Sequence, residues 1–269
     1  MIPVTKTFFP PLAEYEQYLH RIWDNQWLTN ENLGMMGNWI ATIKDCEGKY
    51  IALCEGDDYW TDPLKLQKQV DFLEANEDYA ICFHRAQIWI QNEYKLVEDT
   101  ITREVPQTTD INDLIDGNFM HTPTVLLRNN FILPDFFKNV KTGDWALNLI
   151  SIKDKKIYKF DDVMSVYRIH DRGIWSITSY YDKMLSYVQL MCELKINKFL
   201  DHSTRPPQIY NSLFSLLNQN ILESKLLKSI KLLKQVSTSF KIPLIVLIAK
   251  YVRYYVFLKP KWNKRPLKK

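Results

Sequence analysis

The residues best suited to chemistry in this sequence are three carboxylates within one short stretch. Glu55, Asp57 and Asp58 directly follow an apolar run of strand length, residues 49–54, and Gly56 between them offers the backbone a turn. Open α/β sheets bind ligands at the carboxyl ends of their strands. Carboxylate oxygens in that place can hold a hard cation such as Mg²⁺ or Mn²⁺. Taken alone, the stretch also suits a solvated acidic turn ahead of a helix, so both interpretations stay open.

The surrounding pattern predicts the elements that must position these side chains. Residues 79–83 are a second apolar run of buried-strand length, and Asp62 followed by Pro63 is typical of a helix N-cap and first turn. The helix that follows should bury one stripe, formed by Leu66, Val70 and Leu73. An order of strand, acidic turn, helix and strand favours an α/β layered domain. From about residue 177 the sequence is helical in its periodicity.

Residues 49–84 closely resemble the metal-binding region of bacterial family 2 glycosyltransferases. In that family an acidic D-x-D type element ends a strand, and a Y-W-x-D-P-x-K-L-x-x-Q helix follows. Glu55 stands at the first Asp of the element, Asp57 stands at the second, and Asp58 extends the acidic cluster. The resemblance therefore implies a Mn²⁺ or Mg²⁺ site.

Two further segments match the family, in the order that the family predicts. Residues 142–147 resemble its E-D or G-D-W element, whose acid is the general base, so the resemblance implies that role for Asp144. Asp144 could equally cap the helix that follows it. Residues 167–176 resemble the Y-R-x-H-x-x-G-x-W-S stretch that closes the active site, which implies His170 as a third metal ligand or diphosphate contact. A single histidine is also often structural.

Residues 118–124 look like the acceptor-side segment of the same family. The substrate-binding residues that the resemblance implies are Trp60, His121, Thr122, Trp145, Arg168 and Trp175. The implied fold is a partial GT-A-like α/β domain over residues 31–176, followed by a helical C-terminal region over residues 177–269. The implied reaction is inverting transfer from a nucleotide-sugar donor to a glycan or lipid-linked acceptor, in surface polysaccharide biosynthesis. Asp144 would then take the proton of the attacking hydroxyl.

The sequence departs from the family at its beginning. The opening V-S-(V/I)-x-x-x-Y-N type strand, which helps to hold the nucleotide, has no counterpart, and residues 1–30 resemble the N-terminus of PLP-dependent sugar aminotransferases. The Schiff-base lysine region of those enzymes is absent, which argues against PLP chemistry. We expect a chain truncated in its nucleotide-binding half, with impaired activity and with self-association or a partner chain. The alternative hypothesis is a catalytically impaired remnant that acts as a binding or interaction module.

The charge of the chain is unevenly distributed. Residues 241–269 contain nine Lys or Arg and no acid, whereas residues 1–240 contain 26 basic and 31 acidic side chains. Residues 242–258 are apolar but interrupted by Lys250 and Arg253, and they fall short of the roughly 20 residues that cross a bilayer. This pattern predicts association with an anionic membrane surface, with a helix packed on the domain as the alternative.

Other broad properties narrow the function classes. The basic tail lacks a helix-turn-helix or aromatic-interleaved context, so we expect no nucleic-acid partner. With 7 glycines and no G-x-G-x-x-G, a glycine-rich phosphate loop is not expected. The four cysteines show no C-x-x-C pairing and suit small buried hydrophobes in a reducing compartment. The N-terminus shows no signal peptide, which favours a cytoplasmic protein attached to the inner face of the plasma membrane.

Overall fold

A computed structural model describes residues 34–171, 177–201, 208–222 and 225–253, together with the single positions 13, 16, 17, 20, 173 and 206. The chain divides into two units, residues 1–47 and 48–269. In the first unit, helix α1 spans Gly34–Lys44. The segment compared above with aminotransferases, residues 1–30, lies outside the described residues except for four positions, so that comparison stays a prediction.

The second unit is built on a seven-stranded mixed sheet. Its strands are β1 (Tyr50–Ala52), β2 (Tyr59–Trp60), β3 (Tyr79–Ile90), β4 (Lys95–Glu98), β5 (Thr108–Thr109), β6 (Leu126–Arg128) and β7 (Lys156–Ile169). The path through the sheet is β1-β6-β3-β7-β2, with β4 added to β3 and β5 added to β7. Only β3 and β7 are paired in parallel among the described strands. β3 and β7, with 12 and 14 residues, are the longest strands and lie side by side in the middle of this path.

Helices cover the sheet and then continue beyond it within the same unit. They are α2 (Lys65–Ala75), α3 (Ile111–Ile115), α4 (Gly143–Ile152), α5 (Tyr180–Ile196), α6 (Ile209–Leu222), α7 (Leu226–Phe240) and α8 (Leu244–Arg253). Short 3₁₀ helices span Gln91–Glu93, Thr122–Thr124 and Asp135–Asn139. An α/β domain followed by a helical region is the fold class that the sequence predicts, and the structure confirms it.

Strand β3 has two different neighbours along one edge. Ile81 and Cys82 pair with β6, whereas residues 87–90 pair with β4. On its other edge β3 runs beside β7, with register shifts around Arg85. Residues 83–86 therefore face loops instead of a strand on the first edge, and this opening is where His121 and its neighbours lie.

Helix α2 starts later than predicted, and its buried face extends beyond the predicted stripe. It begins at Lys65, and Asp62 accepts the Leu64 N–H at 2.7 Å. Leu73 is fully buried, and Leu66 and Val70 are partly buried and pack against the same core cluster, as predicted. Lys65 and Gln69 are also fully buried, which the sequence did not predict. A lysine can replace an apolar residue here because its Nζ donates to Gln69 Oε1 at 2.8 Å.

Gln69 in turn links α2 to two remote segments. Its Nε2 donates to the Thr124 carbonyl at 2.9 Å and to the Cys82 carbonyl at 3.3 Å. These bonds satisfy main-chain groups that a leucine would leave unpaired, and unpaired buried carbonyls are costly. The prediction that the cysteines are buried holds for Cys82 and Cys192, but Cys54 is exposed.

The helical region packs α5, α6 and α7 around one apolar core, which includes Met191, Leu213 and Val236. Helix α5 begins after Ser179, whose Oγ accepts the Asp182 N–H at 3.1 Å. Within the described part of the chain, no single helix is long and apolar enough to cross a membrane. Residues 227–240 and 244–252 pass that test only as a pair, bent by 119°.

Candidate functional site

The acidic turn follows β1 and brings three carboxylates together. Oxygen atoms of Glu55, Asp57 and Asp58 all lie within 4.8 Å of one another, a spacing that one cation could bridge. Gly56 was expected to permit the turn, but its φ lies outside the left-handed region and an added Cβ would meet nothing within 4 Å. Glycine is therefore not required at this position by the backbone.

Strand β7 fixes two of these carboxylates from across the sheet. The Arg168 N–H donates to Asp58 Oδ1 at 2.8 Å, and His170 Nε2 lies 2.9 Å from Asp57 Oδ2. β2 pairs with β7, which brings the residues after β1 beside the end of β7. The acidic turn and the Arg168–His170 segment, predicted from separate parts of the sequence, thus lie in direct contact.

Asp58 shows how well this group of residues suits a cation. Its Oδ2 is buried and has no hydrogen-bond partner within the described chain, although Oδ1 is satisfied. Burial, opposed by the Arg168 N–H, raises the pKa of Asp58 to about 6. A buried carboxylate oxygen without a donor is costly unless a positive charge is supplied. The residues present therefore fit a divalent cation.

Glu55 completes the acidic group and links it to Asp144. Desolvation of its carboxyl group, followed by the negative charges of Asp144, Asp58 and Asp57, raises the pKa of Glu55 to about 7. The residue as a whole keeps contact with solvent, and the like charges of its neighbours act in the same direction as desolvation. The Thr122 hydroxyl hydrogen-bonds to Glu55 and opposes the shift.

Asp144 lies in the first turn of α4, beside the acidic group. Its Oδ2 accepts from Asn118 Nδ2 at 2.9 Å, and main-chain N–H groups at the start of α4 donate to the same side chain. Desolvation nevertheless raises the pKa of Asp144. The carboxylate is thus both a helix-start acceptor and a base with raised proton affinity, so the two roles considered for it are compatible.

His121 is oriented by an aspartate that sequence reasoning missed. Its Nε2 lies 3.0 Å from Asp99 Oδ2, and its ring stacks on Tyr167 with centroids 4.4 Å apart. Burial alone would raise the pKa of Asp99, but donors from His121, Thr102 and Ile101 hold it well below its usual range. Asp99 follows β4 in a loop without a recognisable motif, and only its position in space reveals it.

Tyr167 is a second residue that the sequence analysis did not single out. It lies on β7, and burial together with the charges of Asp58, Glu55, Asp144 and Asp57 raises the pKa of its hydroxyl to about 12. The negative charges of all four carboxylates thus act on one hydroxyl group. The spacing of Tyr167 and Arg168 before His170 is the only sequence signal that could have indicated it.

The other predicted substrate contacts have structural partners of their own. Trp60 donates from Nε1 to the Pro123 carbonyl at 3.0 Å, and Lys65 Nζ lies 4.4 Å from the centre of its ring. Trp145 is buried, donates to the Leu114 carbonyl at 2.9 Å and stacks on Tyr187. A substrate role for these two residues stays a prediction.

Of the last two predicted substrate contacts, the structure describes Arg168 but not Trp175. Arg168 Nε is buried without a hydrogen-bond partner among the residues described, so this N–H is available to donate to an anion. The guanidinium also lies close enough to Asp58 to lower the pKa of that carboxyl group. Trp175 lies outside the described residues.

Taken together, these groups can perform a defined chemistry. The three carboxylates of the acidic turn can hold a divalent cation, Arg168 offers a buried N–H to an anion, and Asp144 can accept a proton. His121 and Thr122 lie next to this group and present polar atoms to it. Such an arrangement suits displacement of a phosphate-bearing leaving group by a hydroxyl.

Comparison with known proteins points in the same direction. The family model described as Glycosyl transferase family 2 matches residues 12–133. The chain is also 34% identical over 176 residues to an uncharacterized protein of Mycobacterium bovis and to one of Mycobacterium tuberculosis, which covers 64% of this chain and 47% of each relative. The chain therefore spans about half the length of the curated relatives it matches.

The family match includes some site residues and leaves others outside. It contains the acidic turn together with His121 and Thr122, but it ends before Asp144 and His170. It begins at residue 12, inside the segment that resembles aminotransferases. The chain is thus similar to family 2 glycosyltransferases over residues 12–133, less than half of its length, and the α/β domain with its helical continuation is consistent with a partial GT-A-like fold.

Proposed function

We propose that the chain transfers a sugar from a nucleotide-sugar donor to a hydroxyl of a glycan or lipid-linked acceptor, with inversion at the anomeric carbon. One observation carries the proposal. The segment 118–124 contacts both Asp144 and the acidic turn: Asn118 Nδ2 donates to Asp144 Oδ2 at 2.9 Å, and Thr122 hydrogen-bonds to Glu55, whose carboxylate lies within 4.8 Å of those of Asp57 and Asp58. A base and a group of oxygen ligands are thus close enough to act on the two ends of one displacement.

Asp144 is the proposed general base. Its Oδ2 is held by Asn118, which fixes the carboxylate relative to α4, and its raised pKa makes it a stronger base than an exposed aspartate. As the acceptor oxygen bonds to the anomeric carbon, its proton passes to Asp144. The bond from that carbon to the nucleoside diphosphate breaks, and its electron pair leaves with the diphosphate.

Glu55, Asp57 and Asp58 are the residues that would hold Mn²⁺ or Mg²⁺. When bound, the cation supplies positive charge against the departing diphosphate. His170, at 2.9 Å from Asp57 Oδ2, either orients that carboxylate or joins the ligands. Arg168 offers its buried Nε to a phosphate oxygen, a charge-assisted hydrogen bond.

The acceptor side is formed by His121 and Thr122, with Asp99 holding the imidazole. Thr122 hydrogen-bonds to Glu55, so the acceptor segment and the acidic turn are connected directly. Surface polysaccharide or lipid-linked glycan assembly supplies acceptors of the required class, namely sugar hydroxyls. The mycobacterial relatives do not narrow this choice further.

The test compares Asp144→Asn with Asp182→Asn. Asp182 is the matched control because it is also a first-turn acid, at the start of α5, where its carboxylate accepts from the Ser179 hydroxyl at 2.6 Å. With labelled UDP-, GDP- and dTDP-sugars and Mn²⁺, transfer to glycan and lipid-linked acceptors is measured beside donor binding by calorimetry. Asp144→Asn should reduce transfer by about 10²-fold or more with donor affinity unchanged.

Two results would contradict the proposal. Equal loss of transfer and donor binding in Asp144→Asn, or an equal effect of Asp182→Asn, would assign Asp144 a structural role. Donor binding without turnover in the unmodified chain would instead support the alternative, a binding module derived from a transferase.

A further inference from the structure

Helix α8 presents an apolar stripe to solvent. Ile245, Ile248, Ala249 and Val252 recur at helical spacing and are all exposed, with Ile245 at 71% and Val252 at 52%. The same helix packs on the protein mainly through Leu247 and Tyr251, which are four residues apart. We call these four exposed residues the outer face of α8. Apolar stripes of this kind on soluble proteins usually mark a binding surface.

Helix α7, which precedes α8, also exposes apolar side chains, and lysines stand beside them. Leu227 is 83% exposed and Ile230 is 41% exposed. The exposed lysines on α7 are Lys228, Lys231 and Lys234. Both helices of the bent pair thus combine exposed apolar groups with cations.

The charged side chains of the α7–α8 segment all have one sign. Residues 225–253 contain six lysines, one arginine and no acidic residue, and all six lysines are exposed. Such a surface is complementary to a negatively charged partner that also offers an apolar phase. A second copy of the chain is a poor fit, because a symmetric pairing through this face would bring two all-cationic surfaces together.

We propose that the α7–α8 surface binds an anionic phospholipid bilayer, with the outer face of α8 inserted at the level of the headgroups. Helix α8 has 10 residues and is therefore about 15 Å long, half the thickness of a bilayer core, so it lies in the interface and not across it. The lysines contact lipid phosphates while the apolar stripe contacts the upper acyl chains. This proposal does not depend on sugar transfer and can fail or hold separately from it.

Flotation of the full chain with vesicles tests the proposal. We expect binding to vesicles of equal parts phosphatidylcholine and phosphatidylglycerol, weak binding to phosphatidylcholine alone, and release by salt. Equal binding to both vesicle types, binding to neither, or retention through alkaline carbonate extraction would overturn it. Light scattering of the free protein is the companion measurement, since dimers that depend on Ile245 would assign the face to a second copy.

Matched variants separate the apolar and ionic contributions. Ile245→Ser should weaken vesicle binding at least tenfold, whereas Ile132→Ser, at an 88% exposed isoleucine of the α/β domain, should leave it unchanged. Lys228→Gln should weaken binding about fivefold, since each cation near an anionic lipid surface contributes about that much. Lys95→Gln should leave binding unchanged, because Lys95 lies on β4 and not on the α7–α8 surface. Circular dichroism confirms that each variant is folded. Equal effects in target and control variants would refute the assignment.

Discussion

Binding of Mn²⁺ to the acidic turn should strengthen steeply as the pH rises from about 6 to about 8. A cation needs the ionised forms of Glu55 and Asp58, and the pKa values of these groups are raised to about 7 and about 6. Protons therefore compete with the metal below these values, and affinity falls as the pH falls. An ordinary pair of carboxylates would already be ionised at the lower limit and would show no such dependence.

The size of the effect follows from the two pKa values. Over this range the ionised fraction of Glu55 rises about tenfold, and that of Asp58 rises about twofold, which gives roughly a 20-fold gain in affinity. Because Glu55 keeps contact with solvent, this figure is an upper value. Free Mn²⁺ is measured by electron paramagnetic resonance at constant ionic strength.

Two variants make the measurement specific. Glu55→Gln should bind Mn²⁺ more weakly and retain only the twofold dependence of Asp58. Glu77→Gln, at an exposed glutamate before β3, should keep the full dependence. An affinity that is flat across the range, or a Glu55→Gln variant with the original slope, would refute the assignment of these carboxylates as the metal ligands.

Three further predictions concern stability and the acceptor side. Burial lowers the pKa of Lys65 to about 8, so above that pH the unfolded chain binds a proton that the folded chain does not. From pH 7.5 to pH 10 the free energy of unfolding of the original protein should therefore rise by about 2 kcal/mol relative to that of Lys65→Met, as measured by unfolding in urea. Arg128→Met should cost about 3 kcal/mol in the same assay, because Arg128 donates to the Tyr79 carbonyl at 2.7 Å and to three further acceptors. Arg128→Lys, which keeps the charge, should recover part of this loss, and full recovery would exclude the hydrogen-bond explanation. Asp99→Asn should raise the acceptor KM about tenfold through a misoriented His121 while donor binding stays constant, and an equal change in donor affinity would contradict the positioning role.

The acidic turn and the order of elements could be predicted because their signals are local. Residues 49–54 and 79–83 are short apolar runs of strand length bounded by turn residues, and β1 and the start of β3 lie there. Family motifs then indicated Asp57 and His170 together, although they are 113 positions apart. Neither segment alone indicates that these two side chains lie in contact.

The residues that escaped prediction depend on remote partners. Lys65 and Gln69 are buried because carbonyls of β3 and of the segment before β6 need donors, and a polar residue on a helix otherwise indicates a solvated face. Asp99 lies in a loop whose composition carries no signal, yet it forms the hydrogen bond that holds His121. Gly56 lies in a turn as predicted, closed by the Asp58 N–H bond to the Glu55 carbonyl at 3.1 Å, but the backbone there would also accept other residues.

The dependence of the acidic turn on β7 has a consequence for synthesis of the protein. Asp58 receives its main-chain donor from a residue 110 positions later in the chain. At roughly 5 to 20 residues per second, a ribosome needs about 6 to 22 s to add that stretch. During this interval the nascent carboxylates have neither Arg168 nor His170 beside them, and β3 has no parallel neighbour. The site can therefore form only late in translation, and substitutions that slow the docking of β7 should reduce the yield of folded protein more than its final activity.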